Sequence, residues 1–363
     1  MVFIILGSLL LVFFLSSMLL GWVFSAPGYE GPVSDHFDGK NFHNPGNTKE
    51  HGFLDLMKWM KNRERGKWEE IKGGNPGDPP PATVVGDTIG VTFVNHSTFL
   101  IQYKGLNILT DPVWSERASP VSFAGPKRMR PPGIRYEDLP GIDIILLTHN
   151  HYDHLDIKTL KRLAKDFNPV IYCPLGVDHY LENNGISNIR VMDWWDVLPV
   201  NDEIRVMCTP AQHFSGRGMF DRGRTLWCGF ALLDPNGSIY YSGDTGYGDF
   251  FRGIAEKIGP IRLAFLPIGA YKPQWFMSPI HTSPSDALKI HGEIGSPKSI
   301  GMHYGTFPLA DDGMDEPVKE LERLKAEMGF DEDAFIAMKE GEGMLLGNEN
   351  QNELTSALKF QMR

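Results

Sequence analysis

From residue 90 onward the chain is punctuated by short apolar runs, closed by Gly, Pro, Asn, Asp or Ser. Residues 91–94, 99–103, 107–110, 142–148, 170–173, 204–209, 226–233, 238–242, 263–267 and 299–302 read as β-strands. The early runs follow one another closely, as paired strands do. Between the later ones lie stretches that predict helices, at 157–167, 283–291 and 316–328. Ser283-Pro284 and Asp315-Glu316-Pro317 supply start signals for the last two. Paired strands followed by mixed strands and helices predict an α/β (α+β) fold in which two sheets pack face to face with helices outside. There is no internal repeat.

The N-terminus follows a different pattern. No Asp, Glu, Lys or Arg occurs before Glu30, and residues 3–24 are almost continuously apolar. About twenty such residues suffice to span a bilayer as a helix. The alternative is a cleaved signal segment, which the missing basic start and Pro27 argue against. The expectation is a single N-terminal transmembrane anchor holding the protein at a bacterial inner membrane, with its side left open. Residues 27–82 read as a Gly/Pro-rich linker followed by a helical extension with Phe53, Leu54, Leu56, Met57 and Met60. The partition is therefore 1–26 anchor or signal segment, 27–82 linker and extension, 83–350 catalytic domain, and 351–363 tail.

Composition narrows the class. The 363 residues are 42% hydrophobic and 22% charged, as in a folded globular protein, and the net charge of −10 gives no global footprint for nucleic acid. Cys173, Cys208 and Cys228 sit in apolar strand-like contexts with no CxxC-type spacing, which predicts buried thiols rather than disulfides.

Chemistry concentrates at residues 148–156, Thr-His-Asn-His-Tyr-Asp-His-Leu-Asp, on the loop leaving the run 142–147. Three imidazoles and a carboxylate within six residues are the donor set that suits zinc, and they exceed what one tetrahedral ion takes from a single segment. Two ions are expected. Three further strand ends carry donors: His213 behind Gln212, Asp244 in Ser-Gly-Asp-Thr-Gly, and His303. The seven divide into His149, His151 and His213 for one ion and Asp153, His154 and His303 for the other, with Asp244 bridging. Each ion keeps an open position, as catalytic zinc does. Gly243 and Gly246 would let the backbone approach the pocket. His96 and Gln212 are expected to orient ligands from behind.

These motifs resemble the metallo-β-lactamase superfamily, marked by His-x-His-x-Asp-His. The stretches 125–132 (GPKRMRPP), 149–156 (HNHYDHLD), 226–230 (LWCGF), 242–250 (SGDTGYGDF), 267–281 (PIGAYKPQWFMSPIH) and 303–309 (HYGTFPL) further resemble N-acylphosphatidylethanolamine-hydrolysing phospholipase D and its bacterial relatives. The resemblance covers about residues 45–346. Phe214 and Tyr304 stand where that family often has Trp. The resemblance implies an αββα metallo-β-lactamase sandwich and the same seven ligands. It also implies two Zn2+ per chain (iron or manganese also suit these donors) and hydrolysis of such lipids to phosphatidic acid and an N-acylethanolamine. Asp153, His281 and Tyr271 are the candidates for chemistry beside the ions. His281 would bind a phosphoryl oxygen or protonate the leaving group, and Tyr271 would donate a hydrogen bond. Arg117, Lys127, Arg128 and Arg130 would form a basic mouth for phosphate, and Trp275 and Phe276 an acyl groove. The expected partners are a phospholipid substrate, a membrane and a second copy of the chain. The competing readings are a hydrolase of a lactone or soluble phosphodiester, and a non-catalytic scaffold.

Overall fold

Strand alternation sorts the apolar side chains into two layers. In the computed structural model, which describes residues 2–46, 48, 51–73 and 77–347 (the side chains of 2–10 and 13–14 excepted), Ile144 and Leu146 point into the core between two sheets. Their neighbours Ile145 and Leu147 point outward beneath helices. Each fully buried Ile or Leu contributes about 1.5–3 kcal/mol. A strand buried on both faces must be apolar throughout, which is why this run shows no polar alternation.

The first sheet comprises β1 (Ile89–Asn95), β2 (Thr98–Tyr103), β3 (Leu106–Thr110), β4 (Ile144–Leu146), β5 (Val170–Pro174) and β6 (Ile189–Met192). The second comprises β7 (Val197–Pro199), β8 (Arg205–Thr209), β9 (Gly229–Leu233), β10 (Ser238–Tyr241), β11 (Ile261–Pro267), β12 (Ser299–Met302) and β13 (Phe335–Ile336). The last strand, β14 (Gly343–Leu346), returns to the first sheet beside β1, giving orders β14-β1-β2-β3-β4-β5-β6 and β13-β12-β11-β10-β9-β8-β7. Each sheet is antiparallel over one half and parallel over the other. Of the helices, α1 (Val2–Phe24) and α2 (Phe53–Lys61) precede the sheets. Next come α3 (Ile157–Asp166) and α4 (Val177–Glu182), which cover the outside of the first sheet with Leu160, Leu163, Val177 and Leu181. Then α5 (Phe250–Ile258), the short α6 (Gln274–Met277), α7 (Pro284–Glu293) and α8 (Glu316–Met328) follow. Side chains of α5, α7 and α8 pack in the same cluster as the second sheet. α7 starts as its sequence predicts, with Ser283 and Asp286 forming a capping box and Pro284 in the first turn. The observed layers are those of an αββα sandwich.

Two N-terminal expectations are corrected. Among the described residues no helix is long and apolar enough to cross a membrane, so the transmembrane anchor and the membrane localisation drawn from it are withdrawn. The end of α1 is instead tied to the loop before β9. Gly21 O accepts from Met219 N–H at 3.3 Å, Ser25 Oγ accepts from Phe220 N–H at 3.1 Å, and Asp221 accepts from Ala26 N–H at 2.9 Å. Residues 27–46, the first part of the expected linker, form a packed arm. Phe37 and Phe42 are buried with Leu226 and Trp227, and Tyr29 packs edge-on to Phe37. His36 Nε2 lies 2.8 Å from Asp193 Oδ1. The tail at 351–363 lies outside the described residues.

Candidate metal centre

β8, β10, β11 and β12 run the same way, so the segments leaving them emerge at one edge of the sandwich, where the loop after β4 also arrives. Cys228 N–H donates to Thr148 O at 3.0 Å and His303 N–H to His96 O at 2.9 Å, closing the two sheets together there. Seven donors meet at this edge. His151 Nδ1 lies 2.9 Å from His149 Nε2 and 3.2 Å from His213 Nε2. Asp153 Oδ2 lies 3.3 Å from His303 Nε2 and 3.6 Å from His154 Nε2. Asp244 Oδ2 stands between the groups, 2.9 Å from His303 Nε2, 3.2 Å from His154 Nε2 and 3.7 Å from His213 Nε2.

The backs of the rings are fixed by hydrogen bonds that leave the other nitrogen facing inward. Thr148 Oγ1 contacts His149 Nδ1 at 2.9 Å, and Ile280 O accepts from His213 Nδ1 at 2.8 Å. Asp111 Oδ2 holds His154 Nδ1 at 2.7 Å. Asp111 also accepts from Thr148 N–H, Thr148 Oγ1–H and Tyr241 O–H, all at 2.8 Å. His96, Asp111 and His303 have positive φ (48°, 34° and 62°), conformations that cost non-glycine residues about 1–3 kcal/mol and cluster at functional sites. A Cβ on Gly243 would meet Cys228 O at 2.5 Å, and one on Gly246 would meet Pro279 O at 2.6 Å; both close approaches need glycine.

Charge divides the centre. Burial, reinforced by neighbouring imidazoles, holds His149 well below its ordinary pKa. Burial also lowers His213 well below its ordinary value and His151 to about 4. These are neutral rings ready to donate lone pairs. Burial opposes charge on His154 and His303 too, but Asp244 and its neighbouring carboxylates outweigh it. His154 is raised well above its ordinary value and His303 to about 9. In turn, the adjacent imidazoliums overcome the burial of Asp153 and Asp244 and keep both ionised. His154 Nε2 and His303 Nε2 face the carboxylates of Asp153 and Asp244 without a well-aligned hydrogen bond, and Asp244 Oδ1 is buried without a hydrogen-bond partner among the described residues. Orphaned, inward-facing nitrogen and carboxylate donors of this kind fit divalent ions. The groups whose ligand atoms lie within 4.8 Å of one another include His149/His151/His213 and Asp153/His154/His303 with His96.

A β-lactamase superfamily domain model matches residues 106–304, more than half of the chain. The chain belongs to the metallo-β-lactamase superfamily. It is 39% identical to an N-acyl-phosphatidylethanolamine-hydrolyzing phospholipase D of Caenorhabditis elegans, over 69% of this chain and 74% of that one. It is 38% identical to the mitochondrial protein of that name from Saccharomyces cerevisiae, over 66% of this chain and 52% of that one. Among solved structures, the isothiocyanate hydrolase from Delia radicum gut bacteria superposes with a TM-score of 0.57 and 23% identity, covering 71% of this chain and 99% of that one. At that identity the likeness shows the fold alone. This metallo-β-lactamase-fold protein is accordingly an enzyme, a metal-dependent hydrolase.

The metallo-β-lactamase edge opens into a cavity of about 460 Å3. His151, Asp153, Asp244, His281 and His303 line its floor, and Phe53, Trp59, Phe214, Phe276, Met277 and Leu309 are among its walls. His281 is where the sequence expectation put it, its Nδ1 3.9 Å from Asp244 Oδ2 and without a hydrogen-bond partner among the described residues. Burial lowers its pKa to about 3, so it is a neutral ring. Phe276 stacks between His51 and Trp59, at 4.9 Å from each. Trp275 is 43% exposed beside it and does not line the cavity. His96 Nε2 lies 3.0 Å from Asp153 Oδ2, within hydrogen-bond reach of a candidate ligand, as an orienting residue must be. Gln212 holds Pro279 O at 2.9 Å.

The basic mouth does not assemble there. Arg117 ties its own loop together through Ser122 O and Gly125 O. Lys127 pairs with Glu70, and buried Arg128 donates to Val113 O and Ser115 O. Arg130 pairs with Asp315 and Glu340. None of the four lines the cavity; neither does Tyr271, whose phenol is raised by burial and by Glu316. The basic side chain in the lining is Arg222, its guanidinium 3.7 Å from the Phe214 ring centre. Arg222, Asp111 and Asn44 are site residues that sequence reasoning missed. Asp111 had one available signal, a carboxylate directly after an apolar strand in Thr110-Asp111-Pro112.

Proposed function

We propose that the protein is a dinuclear zinc phosphodiesterase of phospholipase D type, hydrolysing N-acylphosphatidylethanolamine-like lipids to phosphatidic acid and an N-acylethanolamine. The observation that carries this reading is one cavity with a ligand-dense floor and apolar walls. Phe53, Leu56, Trp59, Phe276, Met277 and Leu309 suit acyl chains, while His149, His151, Asp153, His154, His213, Asp244 and His303 below them suit two ions. The similarity to proteins named for this reaction supports it. Bound zinc would supply Lewis acidity and lower the pKa of water towards neutrality.

The chain's own residues do the rest. Asp244, between the two ligand groups, would serve both ions. Neutral His281 is a hydrogen-bond donor for a phosphoryl oxygen, not a store of an extra proton. Arg222 adds positive charge at the wall for an anionic phosphodiester. Phe53 of α2, in the cavity lining, is 73% exposed, and Leu54 and Met57 on the same helix are 81% and 47% exposed, a surface suited to lipid. Purified protein given N-acylphosphatidylethanolamine, a lactone and bis-p-nitrophenyl phosphate should turn over the lipid fastest. Strong lactone turnover without lipid turnover would refute the assignment.

A further inference from the structure

The N-terminal arm reaches the centre at Asn44. Its Oδ1 accepts two hydrogen bonds, from the His213 backbone N–H at 2.8 Å and from Trp227 Nε1–H at 3.0 Å. Both partners can only donate, so the amide cannot be turned end for end without setting –NH2 against two N–H groups. Nδ2 therefore faces away from them. It is buried and has no hydrogen-bond partner among the described residues. Asn44 lines the same cavity as His151, Asp153, Asp244, His281 and His303. A fixed, buried N–H donor beside a ligand-dense floor calls for an acceptor that arrives from outside. The other amide nearby is already engaged: Gln212 Oε1 accepts from Thr48 Oγ1 at 3.0 Å, and Nε2 donates to Pro279 O at 2.9 Å.

We infer that Asn44 Nδ2 donates a hydrogen bond to an anionic oxygen of the substrate, so that an arm outside the matched superfamily segment completes the active site. The inference rests on the phosphodiester reading above, in which that oxygen is a phosphoryl oxygen. A hydrogen bond to such an oxygen is charge-assisted, and it strengthens as negative charge builds there during the reaction. The same residue couples the arm to catalysis, because one end of its amide holds the His213 backbone and the other meets substrate.

The test uses the full-length, zinc-loaded protein and inorganic phosphate as the probe, with affinity read by calorimetry and zinc content measured on each sample. Asn44→Asp keeps an oxygen acceptor for His213 N–H and Trp227 Nε1–H, removes the donor and turns charge towards the anion. It should hold as much zinc as the wild type and bind phosphate at least about ten-fold more weakly. Asn44→Ala should also weaken phosphate binding, by a smaller factor. Phosphate affinity within about two-fold of wild type in fully loaded Asn44→Asp would overturn the inference. So would loss of zinc in both variants, which would reduce Asn44 to a support for His213, or a wild type that binds no phosphate. A wild type inert towards N-acylphosphatidylethanolamine, with phosphate binding still lost in Asn44→Asp, would refute the lipid reading and leave this assignment standing.

Discussion

Asp111 shows how much of the centre depends on one residue away from the ligands themselves. Its carboxylate accepts from the Thr148 backbone and hydroxyl, from His154 and from Tyr241. It therefore fixes both the start of the metal loop and the tautomer of one ligand. Asp111→Asn loses the charge that favours His154 Nδ1–H, and should lower zinc affinity by about 10–100-fold, measured by competition with a chromophoric chelator. At this scale the sequence was legible where donors were dense. The spacing of His149, His151, Asp153 and His154 could be read from one loop, and His213, Asp244 and His303 from their places after strands. Asp111 and Asn44 are single polar residues without a local pattern, and only tertiary structure gives them roles. Charge pattern misled for Arg117, Lys127, Arg128 and Arg130, because closeness in sequence does not say whether a cation meets a cavity or a nearby carbonyl or carboxylate.

The elements most visible in the sequence were those with strand-like apolar runs or helix start signals; residues 299–302 and 316–328 were bounded as β12 and α8 are. The strands missed were short or half-exposed. β6 buries only Met192 fully, β7 buries none of its residues, and β13 has two residues. The arm at 27–46 was missed because a few anchors hold it: Phe37, Phe42 and His36. One anchor titrates. Burial disfavours charge on His36, yet its hydrogen bonds to Asp193 and Asp35 raise its pKa above the ordinary 6.5. A raised folded-state value means a stabilising contribution fully present below about pH 6.5 and lost as pH rises through the folded value. Hydrogen-exchange protection of residues 36–44, corrected for intrinsic rates, should therefore fall as pH rises above about 6.5. His36→Gln should remove that dependence.

Across the whole molecule, the centre joins the two halves of the sandwich. The loop after β4 brings His149, His151, Asp153 and His154, and the second sheet brings His213, Asp244 and His303. Metal binding should thus stabilise the domain globally. For one site, free zinc at a thousand times Kd adds about 4 kcal/mol. Chelation should lower Tm and abolish hydrolysis together, and added zinc should restore both. The layered sandwich was legible because its strands are short apolar runs closed by turn residues, first in close succession and then mixed with helices. The apolar N-terminus was read as a membrane span, but hydropathy alone did not reveal that the end of α1 bonds to the loop at 219–221. The central claim is that water attacks phosphorus in an N-acylphosphatidylethanolamine and expels the N-acylethanolamine oxygen. Hydrolysis in 18O-enriched water, followed by mass spectrometry of both products, tests it most directly. The expected result is one 18O atom in the phosphatidic acid and none in the N-acylethanolamine. Label in the N-acylethanolamine or in a released fatty acid, or no turnover by the zinc-loaded protein, would contradict it.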